Sequence, residues 1–230
     1  MIADHLREFE EHARKALPNE AVAVVVARGE KQVLVPLPNH HPDPKDNFLI
    51  RPCDWVRETP LSLIHSHCTG SPEPSIADRA MCEELGIPWH IYSVEQNRWQ
   101  LLLPCGYRAP LAGREFIWGI HDCFALVRDY YAEKLDIHFE NYFRPYEFWV
   151  EGKDLITPLL EENNFKPVKE HREHDLVVMQ LQSRVPNHLG IMRQNNLILH
   201  HINRRVSSVS IYGGVWLQNT VGIYRHMNLW

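Results

Sequence analysis

The segment His65-Ser66-His67-Cys68-Thr69-Gly70-Ser71-Pro72-Glu73-Pro74-Ser75-Ile76-Ala77-Asp78 sets two imidazoles and one carboxylate at the ends of a short connection. His65 and His67 stand at i and i+2, so on a β-strand both side chains leave the same face. Ser75-x-x-Asp78 has the pattern of a capping box, in which a hydroxyl and an acidic side chain satisfy each other's backbone donors at a helix start. The segment therefore predicts a strand end, a loop and the first turn of a helix. Two imidazoles and a carboxylate make up three of the four positions of a catalytic zinc site, the fourth being left for a water that the ion acidifies.

Before this segment, Ile2, Leu6, Phe9, Ala13 and Leu17 recur at helical spacing, and Pro18-Asn19 ends that helix. Ala21 to Val26 then reads as a buried strand, Gly29-Glu30 as a turn, Gln32 to Val35 as a second strand, and Pro36 to Asp46 as a long loop. Leu61 to His65 is a further apolar strand. After the helix that Ser75 opens, Pro88 to Val94 and Arg98 to Leu103 predict a hairpin around Glu95-Gln96-Asn97. Residues 1–104 are thus expected to form an α/β domain, and the Pro- and Gly-rich residues 105–113 a linker. In residues 114–230, Asp122 is a good N-cap, and Cys123, Phe124, Val127, Tyr130, Tyr131 and Leu135 form a helical stripe. Strand-like runs at Leu176 to Leu181, His188 to Met192, Leu197 to Ile202 and Val221 to Tyr224 follow, which predicts an α+β domain with a helix on an antiparallel sheet.

The 230 residues carry 24 Lys+Arg against 29 Asp+Glu, a net charge of -5, so no electrostatic footprint for nucleic acid is present and none is expected as a partner. The first residues lack the basic-then-apolar layout of a signal peptide, and the apolar run Ala21 to Ala27 is too short to span a bilayer. No membrane span is expected. The 5 cysteines are odd in number and contain no C-x-x-C pair, which argues against a disulfide framework or a zinc ribbon.

Metal-assisted hydrolysis needs a base to carry a proton from water to the leaving amine, and Glu20, at the mouth of the first buried strand, is the candidate. Ser75 can serve both as N-cap and as a hydrogen-bond donor to a developing oxyanion. Glu20, His65-Ser66-His67 and Ser75-x-x-Asp78 together resemble the signature of JAMM metallopeptidases, the JAB/MPN fold, which cleave peptide or isopeptide bonds. The resemblance implies Zn2+ held by His65, His67 and Asp78, with Glu20 as acid/base and Ser75 as oxyanion helper. Where that family has Pro after the second His, this chain has Cys68.

A cysteine at a helix N-terminus meets the positive end of the helix dipole, which favours its thiolate. Cys123 has that position, and His188 and His200 lie on consecutive strand-like runs that would set two imidazoles side by side. Asp122-Cys123-Phe124-Ala125-Leu126-Val127, Asn187-His188-Leu189-Gly190-Ile191-Met192 and Ile198-Leu199-His200 resemble three blocks of the NlpC-type cysteine peptidases, papain-like enzymes that commonly cut peptidoglycan stem peptides. That resemblance implies Cys123 as nucleophile, His188 as base and His200 as orienting residue, with His201 as the rival for the third role. Trp118 stands in the neighbourhood where many such enzymes carry a tyrosine.

A JAMM-like half followed by an NlpC-like half resembles the tail tip assembly proteins of lambda-type phages. This implies other tail tip proteins as partners, a peptidoglycan or peptide substrate, and a place in the infected host's cytoplasm during assembly or in the virion tail tip. The alternatives are a structural tail tip component with silent sites and a host peptidase of cell-wall or ubiquitin-like processing. His40-His41, His171 and His174 read as polar loop residues, and the cluster Tyr142, Phe143, Tyr146, Phe148 and Trp149 as core or docking surface.

Overall fold

Val22 to Val26 is apolar without alternation because the strand it forms, β1 (Val22–Arg28), is covered on both faces. Val22, Val24 and Val26 pack with Leu63, Cys82 and Trp89 on one side, while Ala23 and Val25 meet Phe9, Ala13 and Tyr92 on the other. Helix α1 (Ile2–Ala16) supplies Phe9 and Ala13, and α2 (Ile76–Leu85) supplies Cys82, so one helix lies on each face. With β2 (Lys31–Leu37), β3 (Pro60–His67), β4 (Trp89–Ser93) and β5 (Arg98–Leu102), the sheet runs β2-β1-β3-β4-β5. Only β3 and β4 pair in parallel among these, and α2 is the crossover between them. The computed structural model describes residues 2–54 and 59–230, in two units, Met1–Arg108 and Ala109–Trp230. No helix among the described residues is long and apolar enough to cross a membrane.

In the second unit, helix α3 (Cys123–Leu135) is followed by α4 (Ile156–Glu162), β6 (Phe165–Pro167), β7 (Leu176–Met179), β8 (His188–Arg193), β9 (Leu197–His200), β10 (Ser208–Ile211), α5 (Val215–Gln218) and β11 (Thr220–His226). The strands form an antiparallel sheet in the order β10-β9-β8-β7-β11-β6. Leu189, Ile191 and Leu199 turn toward Leu126, Val127 and Tyr130 of α3, whereas Met179, Met192 and Ile198 cluster with Tyr212 on the opposite face. Gly190 is needed between these layers, since a Cβ there would stand 2.4 Å from Ile198 Cδ1.

The segment expected as a linker is divided between the units. Cys105 and Gly106 donate backbone N–H groups to the Glu83 carboxylate, and Gly113 N–H donates to Ser207 O. Strand β10 and the short elements α4, β6 and α5 were not legible in the sequence. In β10, Val209 and Ile211 face outward at 48% and 73% exposure, so its alternation carries no sign of a core.

Asp175, wholly buried just before β7, accepts hydrogen bonds from Arg225 Nε at 2.8 Å and Nη2 at 2.7 Å and from Arg172 N at 2.7 Å. Removing only the guanidinium leaves a desolvated carboxylate, a loss of about 3–5 kcal/mol. Arg225→Met is therefore expected to lower the urea midpoint followed by tryptophan fluorescence, and Asp175→Asn in the same chain to restore much of it. An unchanged midpoint in Arg225→Met would show that the pair is not structural.

Candidate functional site

At the end of β3, His65 Nε2 lies 3.2 Å from His67 Nε2 and 3.3 Å from Asp78 Oδ1, and His67 Nε2 lies 3.6 Å from Asp78 Oδ2. Two ligands about 2.0–2.1 Å from one tetrahedral ion stand about 3.3–3.4 Å apart, so this triangle has the size that a small cation requires. These ligand atoms form a group that could hold a metal, all within 4.8 Å of one another. The register explains it: His65 pairs with Val22 and Ile91 on the face that α2 covers, and α2 begins one loop later with Asp78 in its first turn.

Surrounding contacts aim the ligands. His67 Nδ1 bonds Ser71 O at 2.9 Å, which leaves Nε2 with a free lone pair. Asp78 Oδ2 accepts from Ser75 N at 2.7 Å while Ser75 Oγ accepts from Asp78 N at 3.1 Å, the capping box read from the sequence. Ser75 thus keeps its hydroxyl proton to donate elsewhere. Burial works against the Asp78 carboxylate, yet His65, His67 and Ser75 hold it well below the usual range. His65 is walled by Phe48, with ring centroids 4.9 Å apart, and by Trp89 at 5.6 Å.

Glu20 is buried, and its acid is pushed up to about 8 chiefly by burial, with Asp78 and Asp46 adding to the rise and His67 opposing it. A cation among the ligands would draw it back down. Cys68 is half-buried and outside the ligand group, and burial together with Glu20 and Asp46 pushes its thiol up to about 11.

In the second unit, Cys123 is the first residue of α3, behind its N-cap Asp122. Asp122 Oδ1 accepts from Ala125 N at 2.9 Å, and Oδ2 accepts from Gly119 N at 3.0 Å and Arg144 Nε at 2.9 Å. Arg144 in turn lies 4.7 Å over the Phe124 ring, and its carbonyl accepts from Trp118 Nε1 at 2.9 Å. Cys123 shares a recess with Trp118, Arg144, Phe148, Leu159 and Leu189. Sequence reasoning placed Trp118 near the thiol and missed Arg144; an arginine inside the aromatic cluster that holds Phe148 was the available signal.

The thiol differs from its expected state. Burial, with Asp122 adding, pushes Cys123 up to about 12, and the Leu189 N–H and Arg144 only partly offset this. Burial accounts for most of the difference, and Asp122 adds to it: its carboxylate takes up the first-turn donor at Ala125 and places a negative charge where the helix dipole is positive.

His188 and His200 lie on one face of adjacent strands. Their register is diagonal, because Gly190 rather than His188 pairs with His200. Their rings meet edge to face with centroids 5.6 Å apart. His200 Nε2 bonds Ser210 Oγ at 3.1 Å, and Trp216 lies on the His200 ring at 4.3 Å. His201 is turned to the other face, edge-on to Phe116 at 5.1 Å. Cys123 lines one recess with Leu189, the residue after His188, and among the described residues no hydrogen bond joins its thiol to the His188 ring.

Burial holds His188 down to about 3 and His121, His200 and His201 to about 4. In the unfolded chain each imidazole takes its proton near 6.5, so between about pH 6.5 and 4 the unfolded state binds more protons. The contribution of these groups is complete above pH 6.5 and is lost as pH falls, at most about 1.4 kcal/mol per imidazole per pH unit. The urea midpoint of this unit is expected to drop steeply from pH 7 to pH 5, and a flat midpoint would contradict the buried neutral imidazoles.

The histidines set aside in the sequence have local partners. His40 Nε2 lies 3.0 Å from Asp54 Oδ2, His171 stacks edge-on to Tyr212, and His174 Nδ1 bonds the Tyr130 hydroxyl at 2.8 Å.

Residues 3–102 match the family of prokaryotic homologs of the JAB domain, and residues 113–225 match the NlpC/P60 family. The chain is thus an N-terminal JAB/MPN-like domain joined to a C-terminal NlpC/P60 domain, each with the mixed α and β structure expected of it. It is 30% identical over 225 residues to the tail tip assembly protein K of Escherichia phage N15, covering 95% of this chain and 92% of that one. It is 29% identical over 181 residues to the tail tip assembly protein K of Escherichia phage lambda, covering 76% and 88%. A JAB1/MPN domain protein from Archaeoglobus fulgidus overlaps 46% of this chain and 87% of its own at 20% identity, with a TM-score of 0.32. The chain belongs to the tail tip assembly protein K family.

Proposed function

We propose that this tail tip protein is a hydrolase with two sites, a Cys123–His188–His200 peptidase that cuts peptidoglycan stem peptides and a zinc-dependent JAMM-type site that cuts peptide or isopeptide bonds. The observation that carries the reading is Cys123 at the start of α3 in one recess with Leu189, the residue next to a His188 whose ring meets His200. Other tail tip proteins would be its partners, during assembly in the host cytoplasm or in the virion tail tip.

With Cys123 pushed up and His188 held down, the resting pair is a neutral thiol and a neutral imidazole. His188 then acts as a general base: as Cys123 Sγ bonds to the scissile carbonyl carbon, the thiol proton passes to His188. The unused N–H groups of the first turn of α3 face the developing oxyanion. His188 returns the proton to the leaving amine, and water hydrolyses the thioester.

In the first domain, His65, His67 and Asp78 would hold Zn2+. A bound zinc would supply Lewis acidity and lower the pKa of a water. Glu20 would carry the proton from water to the leaving nitrogen, and Ser75 would donate its hydroxyl to the oxyanion.

The high pKa of the Cys123 thiol favours a second reading, a structural tail tip component with a silent thiol site. Incubation with purified peptidoglycan separates the two. Fragment release by the wild type that Cys123→Ala lacks supports the peptidase, and no Cys123-dependent release supports the structural component.

A further inference from the structure

We infer that Ser210 is a positioning residue of the thiol site, fixing through its hydroxyl which nitrogen of His200 carries the proton and hence which nitrogen of His188 is free to act as base. The inference rests on the peptidase reading of Cys123, His188 and His200 and adds a fourth member from β10. Ser210 Oγ stands 3.1 Å from His200 Nε2. The remaining nitrogen of that ring, Nδ1, is buried without a partner, and so is Nε2 of His188. These two unpartnered atoms belong to rings whose centroids are 5.6 Å apart at an interplanar angle of 89°.

A neutral imidazole has one N–H and one lone pair, so the state of each nitrogen follows from the other. If His200 Nε2–H donates to Ser210 Oγ, His200 Nδ1 is left as a lone pair, able to accept from His188 Nε2–H once the two rings close to hydrogen-bond distance. His188 Nδ1 is then the lone pair left for the Cys123 proton. If instead the Ser210 hydroxyl donates to His200 Nε2, His200 Nδ1 carries the hydrogen, His188 Nε2 becomes the matching acceptor, and His188 Nδ1 then carries a hydrogen and cannot take the Cys123 proton. Trp216 packs beside both rings, 4.3 Å from that of His200 and 6.3 Å from that of His188. Among the described residues, the Ser210 hydroxyl is the side-chain group hydrogen-bonded to the His200 ring. A hydroxyl is therefore the polar side chain that sets the tautomer.

The test follows alkylation of Cys123 by iodoacetamide against pH in the full chain, read by peptide mapping so that the other thiols do not interfere. Nitrogen-15 NMR of the histidines is recorded on the same samples. In the wild type, Cys123 should be alkylated by way of His188, so that His188→Ala slows it while leaving the exposed Cys53 and Cys105 unchanged, with His200 in the Nε2–H form. Ser210→Ala should slow Cys123 by about tenfold, the effect of about one orienting hydrogen bond, and mix the His200 tautomers. Ser210→Thr, which keeps the hydroxyl, should restore both. Identical alkylation profiles and an unchanged His200 tautomer in Ser210→Ala would overturn the inference while leaving the peptidase reading intact. A Cys123 whose alkylation is the same in the wild type and in His188→Ala would instead remove that reading, and this inference with it.

Discussion

Cys123→Ala is expected to lower fragment release from peptidoglycan by about 10³-fold or more. The alanine removes the atom that forms the thioester, so only residual positioning and the first-turn N–H groups of α3 remain. His188→Ala is expected to cost about as much, and the double variant little more than either alone, because nucleophile and base act in one step. The fold should tolerate the change, since Cys123 sits half-buried at a helix start whose cap is Asp122. Thermal unfolding by circular dichroism checks that point, and initial rates of release from labelled peptidoglycan check the loss. A Cys123→Ala protein within tenfold of the wild type would end the thiol assignment.

The second large effect concerns the first domain. Asp78→Asn is expected to take bound zinc from near one ion per chain to a small fraction, measured by elemental analysis after dialysis. The amide removes the anionic ligand and leaves two neutral imidazoles, which bind a divalent cation far more weakly. Stability should follow: at a free zinc concentration 100 times the dissociation constant, the bound ion stabilises by about 2.7 kcal/mol. Zinc should therefore raise the unfolding midpoint of the wild type, a chelator should reverse that, and neither should move Asp78→Asn. Asp78 is also a capping residue, so Ser75→Ala is the needed comparison. It loses about 1 kcal/mol of cap while keeping its zinc. Equal zinc in Asp78→Asn and the wild type would contradict the ligand assignment.

The sequence revealed most where the chemistry is local. Strand parity put His65 and His67 on one face, and Ser75-x-x-Asp78 marked a helix start, because both follow from neighbouring residues. The unalternating run of β1 announced a strand covered on both faces. What escaped depends on distant partners. Arg144 reaches Asp122 from 22 residues away, and nothing near either residue declares the pair. Asp122 was legible as an N-cap, yet its charge on the Cys123 thiol depends on burial that spacing does not show. The separation of His200 from His201 likewise came from the pairing of Gly190 with His200, a register that no single strand specifies.

Two reaction centres that fold independently from the two halves of this chain should be separable by paired variants in release from peptidoglycan. Wild type, Cys123→Ala, His65→Ala and the double variant are incubated with the same purified peptidoglycan, and soluble products are identified by mass. The expected result is release by the wild type and by His65→Ala at similar rates, and none by either protein lacking Cys123. Release that persists without Cys123, or that disappears with His65 alone, would contradict the claim.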